Sequence, residues 1–383
     1  MINLYNIILL SLIGCSLYFD FKPIRNTTIK IYKLFFILFG FLCAFRYGVG
    51  ADTIYYMDTY YNMPALDELS MLHFIMFRFQ PLYTLLCAFC KTITDNFFLI
   101  QLIQAFLLYH SLYLVIKEYK AFRFFILILF FLQFFHYIGL GLMRECFAVS
   151  FSLYSFIYYK RNKNKTALIF LLCAFLFHVG AFILFIYPFI RKAEYTPKKI
   201  ILLGLLLPII GVVLVNIINK IIAASGINVL VEYSDRYLDE VKSSSNIILN
   251  YVKNSIILFL VIIPGFKYDK ENKDLYLLSF LFVLFDIVSS QFLPMFFRFR
   301  NYVFLFFFIS IHKALRYNLR RNHLFKFICF ITIIYQPIVI YKQEITDKNS
   351  YLIPYKTIFS EDKSYYNNQR TYKIFYDYIR TGY

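Results

Sequence analysis

Four arginines in this chain stand where an apolar run meets a turn: Arg46, Arg144, Arg298 and Arg300. A guanidinium forks onto phosphate oxygens, so several arginines without a metal site suit direct binding of a diphosphate. Arg46 closes the apolar run of FLCAFRYGVGADTIYYMDTYY, residues 41–61, where Gly48 and Gly50 permit a sharp turn before Asp52 and Asp58. Arg144 and its neighbour Glu145 open another run just after Gly139 and Gly141. Arg298 and Arg300 are two apart, so on a helix they point to opposite faces and at most one faces a shared cavity. His178 and Asp286 lie inside apolar runs, where ionisable groups are costly and default to a functional or a paired role. The plain alternative for His178 is a neutral imidazole bonded to a carbonyl. For Asp286 it is a pairing with an arginine.

The elements that position these residues must be membrane helices. The 383 residues are 60% apolar, 22% aromatic and 16% charged, with no Trp. A soluble chain would be about 45–50% apolar and about 25% charged. Many windows exceed the roughly 18 apolar residues that cross a bilayer, which predicts an all-α, polytopic bundle of about 10–13 transmembrane helices with room for re-entrant segments. The net charge of +18 does not point to nucleic acid, because the basic residues lie in short connectors rather than on a soluble domain. Such connectors set membrane orientation. Cys87 and Cys90 form a CxxC without a second pair or a histidine at zinc spacing, so the cysteines read as helix packing. Asn3–Phe19 lacks a basic leader and a small-residue cleavage site, and reads as a retained first span.

Basic connectors at 20–30, 117–123, 160–165, 191–199 and 313–326 are expected in the cytoplasm. Residues 47–74 carry Asp52, Asp58, Asp67 and Glu68 and no Lys or Arg, and are expected outside. Residues 1–341 form the transmembrane domain, and 342–383 a polar, tyrosine-rich tail that alternation puts outside. Alternation fails in two places. Basic connectors flank Thr166–Ile190 on both sides, and two apolar segments separate the external 47–74 from the basic 117–123. Thr166–Ile190 is therefore expected to enter and leave on one side, with His178 at its tip. Below Arg144, Ala148, Ser152 and Ser155 share a helix face and let another helix approach. Gly40, Ala44 and Gly48 make a similar row around Arg46. There is no phosphate-binding glycine loop, dinucleotide fingerprint or HExxH, and DTIYYMD is not a close carboxylate pair for a divalent metal. No cofactor or metal is expected.

Four stretches together resemble the EpsG/Wzy-type polysaccharide polymerases: FRYGVGADTIYY at 45–56, MRECFAVSFSLYSFIYYKRNKNK at 143–165, LFHVGAFILFIYP at 176–188 and FFRFRNYVFLFF at 296–307. FRFQPLYTLL at 77–86 is a weaker match. Two departures stand out. Members commonly carry glutamine where this chain has Glu145, and proline and serine where it has Val179 and Gly180.

The resemblance implies a glycosyltransferase that joins oligosaccharide repeat units carried on undecaprenyl diphosphate. It would work in O-antigen, capsule or exopolysaccharide synthesis at the outer face of the bacterial plasma (inner) membrane. Its implied partners are undecaprenyl-diphosphate-linked oligosaccharide, the lipid bilayer and a chain-length regulator. On that reading Arg46, Asp52, Arg144, His178 and Arg298 are catalytic, and Tyr47, Glu145, Asp286 and Arg300 bind substrate. Arginine stays protonated and cannot act as a base, so the acceptor hydroxyl needs Asp52, His178 or Glu145, or little help at all. The alternative is a flippase for the same lipid-linked oligosaccharide. Its arginines would line a path to both sides, whereas these favour one boundary. An O-antigen ligase usually has a large late external loop, for which 223–250 is short.

Overall fold

Residues 3–50, 52–193, 196, 198–204, 206, 244–291, 296–318, 334–335, 337–339, 341–342, 352 and 355–359 are described by the computed structural model. Among them there is no strand, and helices make up the architecture. The first half holds α1 (Leu4–Phe19), α2 (Asn26–Ala44), α3 (Thr53–Tyr61), α4 (Met71–Phe77), α5 (Pro81–Ile93) and α6 (Phe98–Glu118). Next comes α7 (Phe124–Phe130), which widens into π winding over Phe131–Gly141, then α8 (Met143–Lys160) and α9 (Asn164–Phe177). A 3-10 helix at Val179–Ile186 runs into α10 (Tyr187–Ile190). In the second half, α11 (Ser244–Ile257) continues to Tyr268, and α12 (Lys273–Gln291), α13 (Phe296–Phe299) and α14 (Phe304–Asn318) follow.

Four described helices are long and apolar enough to cross a membrane alone: Asn26–Ala44, Phe98–Glu118, Phe124–Gly141 and Leu249–Tyr268. Shorter apolar helices, among them Leu4–Phe19 and Phe304–Ala314, accompany them. This is a multi-pass membrane protein. Its outer faces carry exposed Leu10, Leu17, Leu34, Ile37, Phe106 and Ile169, which suit lipid tails. The interior is built from aromatic side chains: Phe134 stacks on Phe304 at 4.1 Å, and Phe282 on Phe307 at 4.1 Å. Two further apolar runs that the sequence reads as spans, Lys199–Ile222 and Leu324–Tyr341, lie largely outside the described residues.

Polar contacts define the two ends of the bundle. At one end Arg123 donates to the carbonyls of Phe19, Asp20 and Lys22 at 3.3, 2.8 and 2.7 Å. The Asp20 carboxylate caps α7, accepting from the N–H groups of Phe124 and Phe125. Arg161 meets Glu118 at 2.6 Å, Arg191 meets Asp274 at 3.7 Å, and Lys313 meets Asp269 at 3.3 Å. The basic connectors thus share one end. At the other end Tyr47 N donates to Lys356 O at 2.9 Å and Ile358 N to Phe45 O at 3.0 Å, an antiparallel bridge of Arg46 with Thr357. Tyr5 donates to Leu352 O there, and Tyr341 to Asn6 Oδ1. The described part of the tail therefore sits on the same end as the glycine turn.

Both breaks in alternation have a structural cause. Asn164–Phe177 climbs from the basic end along α8, with Ser155 Oγ donating to Ala167 O at 2.8 Å and Phe177 stacking on Phe147 at 5.0 Å. His178 is extended, and the chain then descends until Tyr187 packs on Phe156 and Tyr159. Arg191 finally donates to the side chains of Asn162 and Asn164 at 3.3 and 3.5 Å. The segment returns to the end it left, with His178 at the tip, as expected. The second cause is a 109° bend between α4 and α5. Arg78 takes the left-handed conformation at φ 51°, Gln80 is extended, and Pro81 starts the new helix. The far end of α5 comes back to the loop before α4: Leu66 N donates to Thr92 Oγ1 at 3.0 Å and Tyr60 OH to Thr94 O at 2.7 Å. Each segment returns to the end it left, which accounts for both breaks.

Candidate active site

The turn after α2 is built on two glycines with positive φ, Gly48 at 61° and Gly50 at 112°. Thr53 Oγ1 donates to Val49 O and Leu140 O at 2.9 and 3.0 Å and pins the turn to the glycine-rich end of the π segment. Asp52 stands half-buried at the start of α3. Burial raises its pKa above the ordinary carboxylate value, against the opposing pull of the Arg298 and Arg144 charges.

Arg46 does not join this group. Its side chain is 1% exposed, donates to the carbonyl of Cys43 and reaches Gln104 Oε1 at 2.9 Å. Gln104 and Cys43 in turn bond Gly139 O at 3.3 and 2.8 Å. A cation just past a helix C-terminus meets its free carbonyls and the negative end of its dipole. Arg46, expected among the catalytic residues, is a strut locking α2 to α6 and to the end of the π segment. Arg46→Lys keeps the charge but loses the fork. It should destabilise the protein by roughly 1–3 kcal/mol, the cost of orphaned buried acceptors. Thermal unfolding in detergent would show this, and an unchanged midpoint would contradict the strut.

Arg144, at the start of α8, is held from three sides. Its Nη1 donates to Gln80 Oε1 at 3.0 Å, its Nε to Tyr56 OH at 3.3 Å, and its guanidinium lies 4.6 Å from the Phe79 ring. Gln80 and Phe79 come from the bend between α4 and α5, so the broken segment holds this arginine. The small-residue face below it packs α9, as the spacing of Ala148, Ser152 and Ser155 predicts.

The 3-10 turn Arg300–Tyr302 ties three other elements together. Arg300, 2% exposed, donates to Asp286 on α12, whose other oxygen accepts from Lys253 and Asn254 at 2.8 Å each. Asn301 Nδ2 donates to Glu145 Oε1 at 2.7 Å. Tyr302 OH lies 2.9 Å from His178 Nδ1. Arg298, by contrast, is exposed, and its charge reaches Asp52, Glu145 and His178. The two-residue spacing thus separates an inward structural arginine from an outward one. Asp286 and Arg300, expected to bind substrate, are paired with each other. Tyr47 meets the tail through its backbone N–H.

His178 is also committed. The Gly180 N–H donates to Nδ1 at 3.2 Å, so in the neutral ring the proton sits on Nε2. Nδ1 is thus approached from two sides, by the Gly180 N–H and the Tyr302 hydroxyl. The site that remains brings together Asp52, Arg144, Glu145 and Arg298, framed by Tyr56, Gln80, Asn301 and Tyr302. Sequence reasoning missed Gln80, Asn301 and Tyr302. Pro81 marked the bend that positions Gln80, and Asn301 and Tyr302 directly follow the two arginines.

The EpsG family model matches residues 29–357, which contain every one of these side chains. No curated protein and no solved structure matches the chain.

Proposed function

As the chain belongs to the EpsG family, we propose that it polymerises oligosaccharide repeat units carried on undecaprenyl diphosphate, at the outer face of the bacterial plasma membrane. The observation that carries this is the convergence of the Arg144 and Arg298 charges on Asp52 at the end of the bundle opposite the basic connectors. The acceptor hydroxyl oxygen attacks the anomeric carbon of the donor repeat unit. The bond from that carbon to the diphosphate breaks, and its electron pair leaves with the lipid diphosphate. Arg144 and Arg298 neutralise the growing charge, the type of stabilisation that dominates most catalysis. The hydroxyl proton passes to a carboxylate, Asp52 or Glu145. Arg46, and Asp286 with Arg300, support the scaffold.

Purified protein given lipid-linked repeat units should produce a ladder of polymer on a gel, and alkaline phosphatase fused after Tyr383 should be active. Units that stay unpolymerised but cross vesicle membranes would make the protein a transporter. A fusion active only as a cytoplasmic reporter would overturn the orientation and the external site.

A further inference from the structure

Glu145 and Asn301 hide an imbalance. Both are buried, at 2% and 0% exposure, and they share one hydrogen bond, Asn301 Nδ2 to Glu145 Oε1. The remaining oxygens, Glu145 Oε2 and Asn301 Oδ1, have no partner among the described residues. Each is an acceptor, and a buried acceptor without a donor is expensive. Both orphans belong to the same bonded pair. A proton on Oε2 supplies the one donor this pair lacks, the donor with which a carboxylic acid and an amide form a ring of two hydrogen bonds.

We propose that Glu145 is carried as a neutral carboxylic acid locked to Asn301, and that it is a positioning residue, leaving Asp52 to take the acceptor proton. The second half rests on the polymerase reading; the first does not. The groups facing Glu145 are Arg298 and Asn301 from the turn region, Asp52 from the loop before α3, Arg144 from its own helix, and Tyr137 and Tyr302. A neutral Glu145 adds no negative charge beside the arginines that would receive the diphosphate. It also fixes the rotation of α8 against the 300–302 turn, and so the spacing of Arg144 from Arg298. In the transfer step the proton then goes from the acceptor hydroxyl to Asp52, whose burial favours taking it.

Infrared difference spectroscopy of purified protein reads the proton directly. Near neutral pH the wild-type protein should show the carbonyl stretch of a protonated carboxyl. Glu145→Gln should abolish it, Asn301→Ala should shift it, and raising the pH should convert it to carboxylate absorption. If Glu145→Gln instead removes only carboxylate absorption at neutral pH, the proposal is wrong. Should Glu145→Gln fail to fold, the wild-type pH titration and the Asn301→Ala shift decide alone. In the ladder assay Glu145→Gln, the isosteric neutral residue, should keep about tenfold more output than Glu145→Ala, the effect of restoring one buried hydrogen-bonded pair. The wild-type rate should also fall at alkaline pH along a limb that Glu145→Gln lacks. Equal output from the two variants would show that the ring does not position the site. The infrared arm does not depend on activity, so its failure is separate from failure of the ladder.

Discussion

Arg144→Lys should lower polymer output roughly a hundredfold, the usual effect of removing one preorganised donor from a developing anion, while the protein still inserts and folds. The charge survives this substitution; the geometry does not. The guanidinium donates to Gln80 at 3.0 Å and to Tyr56 at 3.3 Å, and lies 4.6 Å from the Phe79 ring. These contacts engage Nε, Nη1 and one face of the plane, while Nη2 has no partner among the described residues and is the donor left for phosphate oxygens. A lysine ammonium is a compact point charge that cannot hold the same three partners and still present a donor where Nη2 stands. Membrane-fraction abundance and a fluorescent size-exclusion profile would establish that the variant is folded, and the gel ladder would read its output. Wild-type output from Arg144→Lys would mean that the residue only anchors α8.

The second large effect is expected from Gly50→Ala, a substitution of one methyl group. At φ 112° an L-residue is strained whatever the surroundings. A Cβ there would also stand 2.0 Å from Leu140 O, 2.6 Å from Leu140 C and 2.8 Å from Thr53 Oγ1. Two of those atoms are backbone and cannot swing aside. Either the turn moves away from the π segment, taking Asp52 out of reach of Arg298 and Arg144, or the variant fails to fold. The strain alone costs about 1–3 kcal/mol, and the clash adds to it. A drop in folded yield on size exclusion, with no ladder from whatever folded fraction remains, is the expected outcome. A variant with normal yield and normal output would show that the contact between turn and π segment is not what places Asp52.

Much of this architecture is determined by the sequence alone, because the relevant physics is local. A run of apolar residues must leave water wherever it lies, and a lysine or arginine in a short connector resists crossing whatever the helix packs against. The membrane class, the gathering of basic connectors at one end, and the return of Thr166–Ile190 to its starting side all follow from such local costs. The positive-φ turn at Gly48 and Gly50 was legible for the same reason. So was the small-residue face of α8, since i to i+4 spacing is a property of one helix.

Which arginine does what was decided by tertiary structure. Arg46 and Arg144 look alike in sequence, each at a helix end beside glycines. Gln104 on α6 captures the first, and Gln80 at the bend before α5 holds the second at the start of α8. Arg298 and Arg300 could be separated by their spacing, but only the position of Asp286 on α12 selects which of them is sequestered. Asn301 and Tyr302 carry no signal of their own; they matter because the 3-10 turn delivers one to Glu145 and the other to His178 from more than a hundred residues away. A side chain's chemistry in this bundle depends on how its helix is rotated against its neighbours. That rotation is set by packing over the whole interface, and no stretch of sequence contains it.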